Sequence, residues 1–162
     1  MTRLTRRHLF ALAGTGAIAV TFGCSSQQSE AAQRFEVTHS DAEWRKLLTP
    51  AQYRVLRDEA TERPFTSPLN KEHRAGTFAC AGCQLPLYSS KTKFDSGTGW
   101  PSFYAPLRNA VLTRTDRSLG MTRTEVLCRR CGGHLGHVFN DGPPPTGKRY
   151  CMNGVAMTFR PA

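Results

Sequence analysis

Cys128-Arg-Arg-Cys131-Gly-Gly-His134-Leu-Gly-His137-Val-Phe139 sets a C-x-x-C pair just ahead of an apolar run carrying two histidines. A matching pair, Cys80-Ala-Gly-Cys83, lies upstream. A tight C-x-x-C turn presents two sulfurs to one ion, and structural zinc takes four tetrahedral ligands. Two such knuckles make a closed site of Cys80, Cys83, Cys128 and Cys131, with no position left for water or substrate. They lie further apart than in a simple zinc ribbon, so the site is expected to clasp two sheets or two ends of one. Two disulfides or a redox C-x-x-C are the competing readings.

Working outward, the chain has the texture of a small β domain. Its 162 residues include 14 Gly and 10 Pro, and the turns these imply favour strands over a helical bundle. From Gly76 onward short strand candidates follow one another: Thr77–Cys80, Leu85–Tyr88, Val111–Thr115, Met121–Cys128, His134–Phe139 and Ala156–Phe159. Before them, Ser40-Asp-Ala-Glu43 and Thr49-Pro-Ala-Gln52 read as capping boxes opening two short helices. The net charge of +10 is scattered, with no run of five basic residues. That pattern describes a solvated basic surface and argues against nucleic-acid binding.

Four of the six cysteines go to the knuckles, and Cys24 belongs to the N-terminal segment. Cys151 is left over, in Arg149-Tyr-Cys-Met-Asn153. An unpaired cysteine with histidines elsewhere in the chain is a candidate nucleophile, and an inert buried thiol is the bland alternative. Its neighbours favour the nucleophile. On a strand, Arg149, Cys151 and Asn153 share one face. A cation beside a thiol favours thiolate, and an amide there can hold a polar oxygen. His134 and His137 can move a proton near neutral pH. Lys93-Phe-Asp-Ser-Gly-Thr-Gly-Trp100-Pro-Ser-Phe103 reads as a pocket wall, with Trp100 suited to an apolar methyl or thioether.

Residues 1–33 read as an address, ahead of a domain spanning 34–162. A basic start ending in Arg6-Arg7 precedes an apolar stretch from Leu9 to Phe22, too short to span a membrane. Thr5-Arg-Arg-His-Leu-Phe10 resembles a twin-arginine export signal, which carries folded cargo; a general secretory signal is the alternative. Gly23-Cys24, with its Ser/Gln tether, reads either as a lipoprotein site anchoring the chain through Cys24 or as part of a leader cleaved to release it. The expected location is the periplasm or cell envelope. Export of folded cargo would let zinc load in the cytosol first.

Together these motifs resemble the methionine-R-sulfoxide reductase family, the B type, over about residues 38–160. The resemblance rests on Trp44 through Tyr53, Pro64-Phe-Thr66, Lys93 through Phe103, both Cys pairs, Cys131 through Phe139, Asp141-Gly-Pro143, Thr146-Gly147 and Arg149 through Asn153. It implies a mainly β fold of two antiparallel sheets, with short N-terminal helices and a structural zinc. It implies that Cys151 attacks the sulfoxide sulfur of the R epimer in oxidised proteins and becomes a sulfenic acid. It assigns proton transfer to His134 and His137, orientation to Asn153 and Arg149, and substrate contact to Trp100 and Phe139. A thioredoxin-like or other thiol reductant is the implied partner. One departure stands out: many members carry a resolving cysteine where this chain has Thr98. The expectation is a one-cysteine cycle, unless Cys24 resolves the sulfenic acid from its tether. A non-catalytic zinc-clasp binding module is the alternative, against which an intact Cys151 with its neighbours argues.

Overall fold

The structure, a computed structural model, describes residues 34–162. The leader, with Cys24 and its candidate lipid site, lies outside the described residues.

Two helices open the domain, α1 (Asp41–Leu47) and α2 (Pro50–Leu56). Both begin with the capping boxes expected of them. Glu43 Oε2 accepts from the Ser40 N–H at 2.8 Å, and Gln52 Oε1 accepts from the Thr49 N–H at 3.0 Å. Each box satisfies backbone donors that a helix start leaves unpaired. The helices bury Trp44, Tyr53, Val55 and Leu56. Leu56 and Trp44 lie against Gly82 inside the first knuckle, and Leu56 also touches Gly133 just after the second. Burying a leucine this way is worth about 1.5–3 kcal/mol.

Nine strands follow in two antiparallel sheets. β1 (Gly76–Cys80) is central in the smaller, between β2 (Pro86–Ser89) and β9 (Met157–Pro161). The larger sheet comprises β3 (Lys93–Phe94), β4 (Ser102–Phe103), β5 (Val111–Asp116), β6 (Arg123–Cys128), β7 (His134–Phe139) and β8 (Arg149–Met152). Its order is β3-β4-β8-β7-β6-β5. The expected strands are present, with β6 starting two residues late because β5 ends at Asp116, whose cross-strand partner is Arg123. The expected pocket wall contributes two strands of its own, β3 and β4.

The core lies between the sheets. Phe78 of β1, Tyr88 of β2 and Phe103 of β4 form an aromatic group, with Tyr88 stacked on Phe103 at 4.3 Å between centroids. The Tyr88 hydroxyl reaches Met152 Sδ at 3.1 Å. Because strand side chains alternate, Met152 and Tyr150 facing this core turn Cys151 and Arg149 to the opposite face. The knuckles end β1 and β6, so the four cysteines join one sheet to the other, as the spacing suggested.

β7 carries a bulge. Val126 pairs with Gly136, but Leu127 pairs with His134, leaving Leu135 as an extra residue. Gly136 adopts φ +152°, and a Cβ there would lie 2.2 Å from the Cys151 carbonyl oxygen. That contact is backbone, so no rotamer relieves it. Gly136→Ala is expected to destabilise the domain by about 1–3 kcal/mol, read by denaturant unfolding against the parent chain. An unchanged midpoint would mean the β7–β8 approach is looser than it looks.

Candidate active site

Cys151 sits in the interior of the larger sheet, flanked by partners on both sides. On β7 it pairs with His137, and on β4 with Ser102. A cavity of about 120 Å³ opens over it, lined by Thr61, Trp100, Arg123, Gly136, His137, Phe139 and Asn153. A thiol, an imidazole, two aromatic walls, a guanidinium and an amide therefore share one small space.

The two histidines have different places. In a regular strand, residues three apart point to opposite faces. The extra residue at the bulge brings His134 and His137 edge to face, with ring centroids 5.4 Å apart. His137 lines the cavity. Its Nε2 lies 2.8 Å from Asp116 Oδ2, which also accepts from Arg123 Nη2 at 2.7 Å. Burial pulls the His137 pKa down, the Asp116 bond opposes this, and the charge on Arg123 adds to the lowering. Asp116 itself is held well below the carboxylate range, first by hydrogen bonds from Ser118 and then by His137.

His134 stands behind, 3% exposed, with Nδ1 2.6 Å from Oε1 of Glu125, which is 2% exposed. The other Glu125 oxygen accepts from Arg114, which reaches on to Glu59. Burial pushes the Glu125 carboxyl up, but the bonds from His134 and Arg114 outweigh it and the net shift is downward. The buried acid is thus held as a carboxylate that orients the His134 ring.

The remaining expected residues are each held by a defined partner. Arg149 donates twice to Asp141, at 2.9 and 2.8 Å, and lies 4.4 Å over the Phe139 ring. Its pKa rises mainly through Asp141, with burial opposing and the sulfur of Cys151 contributing less. β8 ends at Met152, so Asn153 does not continue the face of Arg149 and Cys151 as a longer strand would have it. The chain turns there into a 3-10 segment, Gly154–Ala156. Asn153 still reaches the cavity, with Oδ1 accepting from the Glu62 N–H at 2.8 Å and Nδ2 donating to the Leu135 carbonyl at 3.1 Å. Trp100 Nε1 donates to the Glu62 carbonyl at 2.9 Å. Glu62 Oε2 accepts from the Gly154 N–H at 2.6 Å, so one loop residue fixes both the aromatic wall and the amide.

Sequence reasoning missed Thr61 and Arg123 in the lining, and Glu62, Asp116 and Glu125 behind it. One of these left a signal: Glu125 is an acid abutting the apolar Val126-Leu127. Asp116 is set against Arg123 only by the strand register. Thr61 and Glu62 lie in a loop with no periodicity to read.

The four knuckle sulfurs all lie within 4.8 Å of one another. Across the clasp, Cys80 Sγ approaches Cys131 Sγ at 3.7 Å and Cys83 Sγ approaches Cys128 Sγ at 3.4 Å. A tetrahedron with metal–sulfur bonds of about 2.3 Å has sulfur–sulfur edges of about 3.8 Å. A disulfide needs about 2.05 Å, and the cysteines are free. The donor set therefore fits a tetrahedral thiophilic dication. Four thiolates at this spacing repel one another, and a dication lets all of them lose their protons.

Comparison with known proteins agrees with this geometry. A family model described as the SelR domain matches residues 48–161. A protein named "Peptide methionine sulfoxide reductase MsrB" from Pseudomonas putida (strain W619) is 60% identical over 120 residues, covering 74% of this chain and 90% of that protein. Proteins of the same name from Leptospira interrogans and Agrobacterium fabrum are each 55% identical over 127 residues, covering 78% of this chain and 97% and 94% of theirs.

The Glu125–His134 pair makes acid stability a direct readout. A carboxyl whose folded pKa lies below its unfolded value adds stability that is complete above the ordinary carboxylate range and is lost as pH falls through the folded value. Glu125→Gln removes that component. The melting temperature of the parent chain should exceed that of the variant at pH 6, and the gap should narrow as pH falls below the ordinary carboxylate range. A gap independent of pH would show that Glu125 supports the fold by shape alone.

Proposed function

The chain belongs to the peptide methionine sulfoxide reductase MsrB family, and on that premise we propose that Cys151 reduces the R epimer of methionine sulfoxide in proteins. The supporting observation is the pairing of Cys151 with His137 across β7–β8, in one cavity with Trp100 and Phe139.

The Cys151 sulfur attacks the sulfoxide sulfur while the sulfoxide oxygen takes up a proton. His137 is the better-placed donor, because it lines the cavity and His134 does not. A lowered pKa makes its protonated ring a stronger acid. The oxygen passes to Cys151, the bond to the substrate sulfur breaks, and methionine leaves. Cys151 is oxidised by two electrons to a sulfenic acid. An external thioredoxin-like dithiol or other thiol pair then reduces it, releasing water and a disulfide. Thr98 at 3.8 Å from the Cys151 sulfur supports a cycle without a resolving cysteine at that position.

The split lining supports stereoselectivity. A sulfoxide sulfur carries an oxygen, a methyl, a chain and a lone pair. His137, Arg123 and Asn153 offer polar partners for the oxygen, and Trp100 and Phe139 apolar contact for the methyl. Fixing the oxygen, the methyl and the direction of attack by Cys151 would leave one hand of the sulfoxide preferred.

Zinc is the dication that best suits four cysteine sulfurs. Cys80, Cys83, Cys128 and Cys131 would hold it, and it would supply cross-linking of the two sheets rather than chemistry at Cys151. Residues 1–33 would deliver the folded chain to the periplasm or cell envelope, with Cys24 a candidate lipid anchor. Native mass spectrometry of the mature protein from envelope fractions is expected to show one zinc per chain and loss of the leader. Disulfides without metal, or an intact N-terminus in the cytosol, would overturn the respective parts.

Cys151→Ser is expected to lower turnover of the R epimer by at least about 1,000-fold, and dimedone should label Cys151 after one turnover without reductant. Persistent activity in the variant, or equal turnover of the S epimer, would sink the assignment.

A further inference from the structure

Three hydroxyls lead from the Trp100 backbone carbonyl to the Cys151 sulfur. The Ser102 hydroxyl donates to the Trp100 carbonyl at 3.1 Å. Ser96 Oγ lies 2.7 Å from Ser102 Oγ and 2.8 Å from Thr98 Oγ1. Thr98 Oγ1 lies 3.8 Å from Cys151 Sγ, within reach of a hydrogen bond to sulfur. Ser102 is fully buried and pairs with Cys151 across β4–β8. The turn that folds Thr98 back over the sulfur depends on Gly97 and Gly99, at φ +69° and +93°.

Each hydroxyl has one hydrogen to give, so the direction of the whole chain follows from either end. With Ser102 donating to the Trp100 carbonyl, Ser96 must donate to Ser102 and Thr98 to Ser96. Thr98 then offers only lone pairs to Cys151, an arrangement that accepts the S–H of a neutral thiol. For Thr98 to donate to a negatively charged sulfur, every hydroxyl must rotate and the Trp100 carbonyl must lose its partner. The carbonyl and the sulfur compete for the last hydrogen of one chain.

We propose that Ser96, Thr98 and Ser102 form a reversible hydroxyl chain that sets the charge preference of Cys151, with Thr98 as the contact to sulfur and Ser102 as the brake. This rests on Cys151 being the reacting thiol. Removing the contact and removing the brake then act in opposite directions. Thr98→Val is isosteric but cannot donate. Ser102→Ala frees Ser96 to donate to Thr98, and Thr98 to donate to sulfur. Ser96→Ala cuts the same link from the other side and also frees Thr98.

The test is the rate of Cys151 alkylation by iodoacetamide at pH 7, followed by peptide mass spectrometry on the full folded chain. A hydrogen bond to a charged group lost or gained corresponds to a change of about tenfold or more. Thr98→Val should slow alkylation by about that factor, Thr98→Ser should restore it, and Ser102→Ala should speed it. Ser96→Ala should also speed it, and it carries the test alone if Ser102→Ala does not fold. Changes of one sign in all variants, or no change in Thr98→Val, would overturn the proposal. Alkylation needs no turnover, so this outcome is separate from that of Cys151→Ser in the reductase assay.

Discussion

The contact on which the rest depends is the meeting of four sulfurs at the ends of β1 and β6. These strands belong to different sheets, and the cysteines clasp the end of one to the end of the other. α1 and α2 lie over this clasp through Trp44 and Leu56, and Arg57 donates to the Cys131 carbonyl at 3.0 Å. A metal ion held there would cross-link the two sheets and offset part of the chain entropy of folding. The second knuckle also sets where β7 begins. Three residues separate Cys131 from Leu135, the extra residue of the bulge, so the clasp and the placement of both histidines are parts of one short segment.

That coupling explains what was legible in the sequence. The knuckles, the capping boxes and the strand runs carry local chemistry, and each announces itself within a few residues. Ser40 with Glu43 and Thr49 with Gln52 needed no tertiary knowledge. Nor did the family motifs around Cys151, Trp100 and the histidines. The fold class followed from the same signals, because two C-x-x-C turns among short strands leave few arrangements that bring four sulfurs together.

What escaped was everything decided by tertiary geometry. His134 and His137 are three residues apart, and a regular strand would have separated them; only the bulge at Leu135 puts both rings on one side. Asn153 follows a strand that ends one residue earlier, so its direction comes from the turn and from Glu62, 91 positions away in sequence. Arg123 enters the cavity beside His137 because β5 and β6 set it against Asp116. No period in the sequence distinguishes it from an exposed arginine. Loop residues such as Glu62 gain their role from what they join, and nothing in their own neighbourhood records it.

The distribution of buried polar groups separates the demands of folding from those of chemistry. Among the described residues, the buried polar or charged side chains are Ser67, Ser102, Glu125, His134 and Asn153. One of the five, Asn153, lines the cavity, and the other four lie beside or behind its lining. Ser102 faces Cys151 across the sheet, Glu125 and His134 back His137, Asn153 lines the wall, and Ser67 lies against Gly154 next to it. Each has a hydrogen-bond partner, which removes most of the penalty of burial without making the group a net stabiliser. For a buried carboxylate–imidazole pair, desolvation offsets much of the attraction, and an apolar pair of equal volume would hold the sheet as well or better. The core between the sheets is built that way, from Phe78, Tyr88, Phe103 and Met152. Most of the polar burial lies instead in the larger sheet and the loops beside Cys151, and stability alone does not account for it. What these groups do is fix directions: Glu125 holds the His134 ring, Asn153 spans Glu62 and Leu135, and Ser102 joins Ser96 to the Trp100 carbonyl.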